Sequence, residues 1–337
     1  MADLHSTFTE FDDVIKLSSK NKETLRTSRN SIRTDIEKYF EEKREKHTVS
    51  FKGQGSFMMH TTIQPISKEY DVDDGVYIFG KEGDRPSPQI AHNWIYDAVK
   101  NRTSSESLDK NTCIRVIYKS DYHVDLPIYY KVEKSDNENI LDDEIPKIAH
   151  LSKGWIQSDP YAFKKWFDDQ SKGKSQLKRI VRYLKAWSDK KQNDNAKLIF
   201  PSGMVFTILA SNYYVENTRD DISLLETLKK IQSNIDDTRF EYINYECYRP
   251  TVDKNENLLD KYAAETTKNN FLNALDSFIN SGDQAIELES KKDACSKWQK
   301  HLGDRFPCLS IKEEKSNSSA RVFTTPDHVS FDNKSAK

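Results

Sequence analysis

Cysteine is sparse in this chain of 337 residues, and the four present (Cys113, Cys247, Cys295 and Cys308) form no C-x-x-C pair. That spacing argues against a zinc ribbon or a dithiol redox site. It predicts buried or free thiols in a reducing cytoplasm rather than disulfides. Long hydrophobic runs are missing too. The longest nearly apolar stretch, Gly203 to Ala210, is far too short to cross a bilayer, and Met1 to His5 lack the basic-then-apolar order of a signal peptide. No membrane partner is expected, and the predicted location is cytoplasmic. Net charge is almost absent: 52 Lys and Arg stand against 54 Asp and Glu, giving -2. Proteins that track long nucleic acid carry a stronger basic excess, so no long nucleic acid is expected as a partner. A small anionic substrate needs only a local basic patch.

What is present is a polar globule, 31% charged and 36% hydrophobic, long enough for one large domain or two lobes. No glycine or proline occurs before Gly53. Within that stretch, Lys20 to Lys46 carries Leu25, Ile32, Ile36 and Phe40 at steps of seven, four and four, which predicts a helix with a narrow apolar stripe. Such a helix is about 40 Å long. It braces two lobes or lies on the surface of one, and the pattern leaves both open.

From Thr48 to Val132 the period changes to two. Val72, Val76 and Ile78 share a face, with Asp74 the exception, and Asp71 and Asp73 point to the other face. A helix is predicted over Ile90–Lys100. A hairpin follows, with Ile114, Val116 and Tyr118 on one arm, a turn at Lys119–Asp121, and Val124, Leu126 and Ile128 on the other. His123 and Asp125 lie opposite the apolar face of that second arm, and Pro127 favours an edge or end position. The acidic stretch Glu133–Pro146 breaks the pattern. Beyond it helices are predicted over 160–171, 175–190, 202–214, 219–235, 258–281 and 283–301, with a possible strand at Tyr242–Cys247. A disordered tail is expected from Lys315. The fold class is α/β (α+β) with a mixed sheet.

Three elements carry chemistry. Asp71 and Asp73, two residues apart on one strand face, can share a hard divalent cation such as Mg²⁺. Asp125 on a neighbouring strand can complete a second position, and two ions about 3.5–4 Å apart stabilise both oxygens of an in-line displacement. An EF-hand starting at Asp71 is rejected, because its sixth position is Val76 rather than glycine. Gln54-Gly55-Ser56 is either a plain strand-to-helix turn or a turn whose N–H groups meet phosphate, with Ser56 capping a short helix through Phe57–Met59. Lys178, Arg182 and Lys185 share a helix face, which is a solvated surface or, at Lys185, a point charge for triphosphate. Ser202 caps the next helix or touches the same phosphates.

Taken in order, Gly-Ser, D-x-D, a strand Asp and a Lys-bearing helix resemble the polymerase-β nucleotidyltransferase superfamily. The segments GQGSFMMHTTIQP, EYDVDDGVYI, NTCIRVIY, YHVDLPIYY and IVRYLKAW resemble the bacterial cGAS/DncV-like nucleotidyltransferases (CD-NTases). The resemblance spans about residues 5–310 and implies a bilobal fold: N-terminal helices with a long spine (1–47), a nucleotidyltransferase core (48–155), a helical lobe (156–314) and a tail (315–337). It implies synthesis of a cyclic dinucleotide or trinucleotide from ATP, GTP or other NTPs, with a cGAMP-like purine product as the expectation. Two Mg²⁺ ions (or Mn²⁺) are the implied cofactors. The product is expected to act on an effector in CBASS antiphage defence, with accessory proteins as further partners. By the same resemblance Asp71, Asp73 and Asp125 are the metal-binding triad, Gln54, Gly55 and Ser56 the phosphate turn, Lys185 and Ser202 the helical-lobe phosphate contacts, and Arg115 a nucleotide contact. Two other readings stay open: a nucleotidyltransferase acting on an RNA end, a protein or a small molecule, and a silent nucleotide-binding scaffold.

Overall fold

The computed structural model describes residues 1–67, 69–119, 121–132, 145–236 and 244–311. The chain opens with α1 (His5–Ile15) and α2 (Ser19–Lys43). Ser18 caps α2 by accepting the Asn21 N–H at 3.1 Å. All four predicted stripe residues, Leu25, Ile32, Ile36 and Phe40, are buried. The two helices serve different cores. Phe8, Phe11 and Ile15 of α1 pack in the helical cluster with Tyr183, Trp298 and Phe306, whereas the α2 stripe packs in the sheet cluster.

The sheet comprises β1 (Thr48–Gln54), β2 (Tyr70–Gly80), β3 (Leu108–Asp109), β4 (Cys113–Tyr118), β5 (Tyr122–Val132), β6 (Lys147–His150) and β7 (Gly154–Gln157). Its order is β1-β2-β5-β4-β3, with β6 joining β5 and β7. β2 and β5 run parallel and the other pairs antiparallel, so the predicted mixed sheet is present. A four-residue helix, α3 (Gly55–Met58), follows β1, and α4 (Pro88–Val99) follows β2. Together α2 and α4 cover the face bearing Val72, Val76, Val124 and Leu126.

Asp74, the exception on that face, is fully buried. Arg33 of α2 donates Nε and Nη2 to its two carboxylate oxygens at 2.7 and 2.5 Å. Pro127 is a correction, because β5 is an internal strand. The β2–β5 ladder is interrupted between Asp73↔Asp125 and Val76↔Ile128, and β4 begins opposite Pro127, so the missing N–H falls at a gap.

The rest of the described chain is mainly helical: α5 (Pro160–Ser171), α6 (Ser175–Asp194), α7 (Gly203–Tyr213), α8 (Asp220–Ile235), α9 (Glu265–Glu287) and α10 (Lys291–Leu302). The first four follow the predicted spans closely. α9 and α10 start later, because Leu258 is held by the Cys247 carbonyl and Asp260–Tyr262 form a 3-10 turn. Gly282 lies inside α9 rather than between helices. A Cβ there would come within 2.7 Å of Trp298 and 2.8 Å of Leu225, so close helix packing demands glycine. β6 and β7, four residues each, were not anticipated. The possible strand at Tyr242–Cys247 is not found among its described residues; the nearest pairing is a single Tyr248↔Asn257 bridge. Most of the acidic stretch Glu133–Pro146, and the expected tail, fall outside the described residues.

The thiol expectation is corrected in part. Cys295 and Cys308 form a disulfide, because the chain reverses at Gly303 after α10 and brings Cys308 back beside that helix. Cys113 and Cys247 are buried free thiols. Among the described residues no helix is long and apolar enough to cross a membrane.

Candidate active site

Strand register assembles the site. Gln54 of β1 pairs with Asp73 of β2, Asp73 with Asp125 of β5, and Asp125 with Arg115 of β4, giving one row across four strands. Asp71 and His123 form the adjacent pair two residues along, on the same face. The six side chains therefore share the sheet face opposite α2 and α4.

Arg115 donates Nε and Nη2 to the two oxygens of Asp125, each at 2.7 Å, a bidentate grip that fixes the carboxylate. Asp73 has no cation of this kind. Its Oδ2 lies only 2.0 Å from where a Cβ on residue 55 would sit, and Gly55 has φ +67°, so glycine is required there on both counts. Burial pushes the Asp73 carboxyl up to about 8, and the negative charges of Asp71 and Asp125 add to the shift. Burial also raises Asp71, and the negative charge of Asp125 adds to the shift. Asp71 is 43% exposed, so water softens its shift.

Lys185 of α6 faces these carboxylates. Its ammonium donates to the Thr61 hydroxyl at 3.0 Å and the Thr61 carbonyl at 3.3 Å. Burial lowers it to about 8, against the pull of Asp71. Gly203 at the start of α7 lets that helix approach, since a Cβ there would sit 3.1 Å from the Lys185 Cε. Arg182, on the same helix face, is structural: it grips Asp12 of α1 at 2.6 and 2.8 Å and donates to the His60 carbonyl at 2.7 Å.

The loop between α3 and β2 is tied down along its length. Besides the His60 and Thr61 contacts, Arg305 donates to the Gln64 carbonyl at 2.6 Å, Asn21 to the Gln64 side chain at 2.8 Å, and the Ile66 N–H to Asp189 at 2.9 Å. Between sheet and helices lies a cavity of about 1480 Å³, lined among others by Gln54, Gly55, Ser56, Asp71, Asp73 and Lys185. Single-ligand clefts are about 300–1,000 Å³, so this one has room for more than one nucleotide.

The remaining sequence-predicted residues are placed as follows. Asp125 and Arg115 lie beside the cavity wall, one and two strands beyond Asp73. Gln54 donates to the Tyr129 hydroxyl at 3.2 Å, while its Oε1 is buried without a partner. Ser56 is inside α3 rather than its cap, because the helix begins at Gly55; its hydroxyl lies 2.9 Å from that of Thr62. Ser202 holds the N-cap position of α7 but makes no side-chain cap bond. Its N–H donates to Tyr262 at 3.1 Å, and Gly203 and Met204, not Ser202, line the cavity.

Sequence reasoning passed over His123. Its Nδ1 lies 3.1 Å from Glu69, and its buried Nε2 has no hydrogen-bond partner. Asp71, His123 and Asp125 each offer a ligand atom within 4.8 Å of the others, so the group can hold a metal ion. The orphaned Nε2, the orphaned Gln54 Oε1 and the half-buried Asp73 carboxylate, which has no ion pair among the described residues, all fit a divalent cation.

Carboxylates on adjacent strands, a glycine turn pressed against one of them and a lysine across a cavity are the parts expected of a nucleotidyltransferase core. Residues 49–129 match the family described as "Cyclic GMP-AMP synthase DncV-like, nucleotidyltransferase domain". Over that stretch the chain is similar to the bacterial cGAS/DncV-like nucleotidyltransferases.

A cyclic GMP-AMP synthase of Escherichia albertii is 33% identical over 202 residues, covering 56% of this chain and 43% of the relative. A c-di-GMP synthase of Roseivirga ehrenbergii is 24% identical over 236 residues, covering 61% and 59%. The chain thus spans about half the length of the curated relatives it matches. The fold is that of the Vibrio cholerae DncV cyclic AMP-GMP synthase bound to nonhydrolyzable GTP, with TM-score 0.76, 18% identity, and coverage of 90% of this chain and 96% of that one. The same V. cholerae enzyme has also been seen with the linear intermediate 5′ pppA(3′,5′)pG, at TM-score 0.73, 20% identity and coverage of 90% and 96%.

Proposed function

We infer that this chain is a cyclic dinucleotide synthase that joins ATP and GTP into a cGAMP-like product, with release of pyrophosphate. The observation that carries this reading is the convergence of Asp71, Asp73 and Lys185 on one cavity large enough for two nucleotides. The names of the relatives, two-substrate cyclases among them, support it.

In this reading Asp71, Asp73 and Asp125 hold two Mg²⁺ ions, with Mn²⁺ able to replace them. Bound there, the cations would supply charge neutralisation at the α-phosphate and acidify the attacking ribose hydroxyl. The chain's own residues do the rest. Arg115 fixes the orientation of Asp125. Gly55 leaves space for the Asp73 carboxylate and for a close approach of phosphate to the Gln54–Ser56 turn. Lys185 places a positive charge opposite the carboxylates, where a triphosphate would lie. Two successive attacks, the first intermolecular and the second closing the ring, require the linear intermediate to turn over within the cavity. Catalysis then rests on positioning and charge stabilisation. An antiphage role, acting through an effector that binds the product, follows from the family resemblance, as do CBASS accessory partners and a cytoplasmic location. The near-neutral net charge weighs against RNA as acceptor.

The test is to incubate the protein with all four NTPs and Mg²⁺ and identify products by mass spectrometry before and after phosphatase treatment. A phosphatase-resistant purine cyclic dinucleotide is expected. Only phosphatase-sensitive linear products, or label transferred to a macromolecule, would overturn the assignment.

A further inference from the structure

His123 is almost completely buried, at 6% exposure, on the site face of β5. Its two nitrogens are differently placed. Nδ1 faces the Glu69 carboxylate at 3.1 Å. An ionised carboxylate only accepts, so Nδ1 carries the hydrogen and Nε2 presents a lone pair. That lone pair is aimed between Asp71 Oδ2 at 3.8 Å and Asp125 Oδ2 at 3.9 Å. Both distances are too long for hydrogen bonds, and Nε2 makes none. A lone pair facing two carboxylates is repulsive unless something positive lies between them.

His92 shows what a structural histidine looks like in this chain. Its Nδ1 meets Asp109 at 2.6 Å and its Nε2 meets the Ala149 carbonyl at 3.1 Å, so both nitrogens are satisfied. His123 instead has the carboxylate–histidine arrangement typical of metal ligands, with one nitrogen oriented by an outer acid and the other free for the ion. Asp125 keeps capacity for an ion although Arg115 occupies both its oxygens, because each carboxylate oxygen has two lone-pair sites.

We propose that His123 is a nitrogen ligand of a mixed Asp71–His123–Asp125 centre, which selects a transition-metal divalent ion such as Mn²⁺ over Mg²⁺. This rests on the reading that these carboxylates bind divalent metal, and it adds which metal they prefer. An imidazole nitrogen favours first-row transition ions, Co²⁺ more than Mn²⁺ and either more than Mg²⁺, whereas all-oxygen sites suit Mg²⁺ and accept Mn²⁺ as well.

The experiment measures Mn²⁺, Co²⁺ and Mg²⁺ binding by calorimetry, with and without a nonhydrolysable ATP analogue, together with ¹⁴N coupling in the pulsed EPR spectrum of bound Mn²⁺. The wild type is expected to bind Mn²⁺ at least about tenfold tighter than Mg²⁺ and to show ¹⁴N coupling. His123→Gln should lose the coupling and bind Mn²⁺ and Co²⁺ about 100-fold more weakly, with Mg²⁺ within about threefold of wild type. Glu69 is half exposed, so Glu69→Gln leaves the core intact even if the first variant misfolds; it should weaken Mn²⁺ binding about tenfold. Unchanged Mn²⁺ affinity in both variants, or Mn²⁺ bound without ¹⁴N coupling in the wild type, would make His123 a protonated counter-charge and overturn the proposal. If Asp71→Asn also leaves metal binding unchanged, or the wild type binds no metal under either condition, the carboxylate–metal reading falls with it.

Discussion

Asp73 and Asp74 are consecutive on β2 and lie on opposite faces of the sheet, Asp74 fully buried and Asp73 partly so, and their surroundings differ sharply. Asp74 is sealed in the apolar core and matched by the Arg33 fork. Asp73 is pressed against Gly55 and flanked by like charges, with no cation of its own. The same contrast recurs on α6, where Arg182 is bound to Asp12 while Lys185, about one turn along, contacts only Thr61 oxygens. A charge sealed in the apolar core with its partner, as Asp74 is, is structural. One whose partner is absent from the fold points to a ligand.

The largest expected effect is on turnover. Asp71→Asn with Asp73→Asn should cut product formation at least about 10³-fold, measured by pyrophosphate release. The metal-free double variant should meanwhile be more stable than the wild type by about 1–3 kcal/mol at pH 8. The sign follows from the raised carboxyl. With a folded value near 8 against an ordinary 3.8, Asp73 lowers stability progressively as pH rises from about 4 to 8, and asparagine removes that loss. A less stable double variant would break the contrast.

Next comes Arg33→Ala, which strands the Asp74 charge. It should cost about 3–5 kcal/mol in denaturant unfolding, and Asp74→Asn added to it should recover part of that loss. Lys185→Ala should weaken binding of a nonhydrolysable triphosphate about 10-fold in calorimetry, with Lys185→Arg milder. In the wild type that affinity should decline above about pH 8, where Lys185 loses its proton, and the decline should vanish in the arginine variant. Ser202→Ala should be nearly silent, within about 0.5 kcal/mol in stability and twofold in binding, because its hydroxyl makes no cap bond.

Alternation alone placed Asp71 and Asp73 together and His123 beside Asp125, and the glycine–serine turn was legible because its residues are adjacent in sequence. Pairing between distant strands was not legible, so the direct opposition of Asp73 to Asp125 had to come from the fold, whereas that of Asp125 to Arg115 lies within the predicted hairpin. His123 was read as a polar strand position, since nothing local shows which nitrogen is satisfied. Gly282 misled, because a helix-packing glycine and a helix-ending glycine look alike in a sequence. The Cys295–Cys308 bridge was hidden for a related reason: thirteen residues of spacing carry no motif, and the reversal that unites them is tertiary.

The fastening of residues 60–66 has a mechanical consequence. Contacts from α1, α2, α6 and the segment after α10 all end on this one short stretch. Any swing of these helices against the sheet at this stretch must break several of them at once, which makes it an anchored seam rather than a hinge. Elsewhere in the cavity lining Arg249 and Glu256 pair with each other, a contact that holds two lining side chains without reaching residues 60–66.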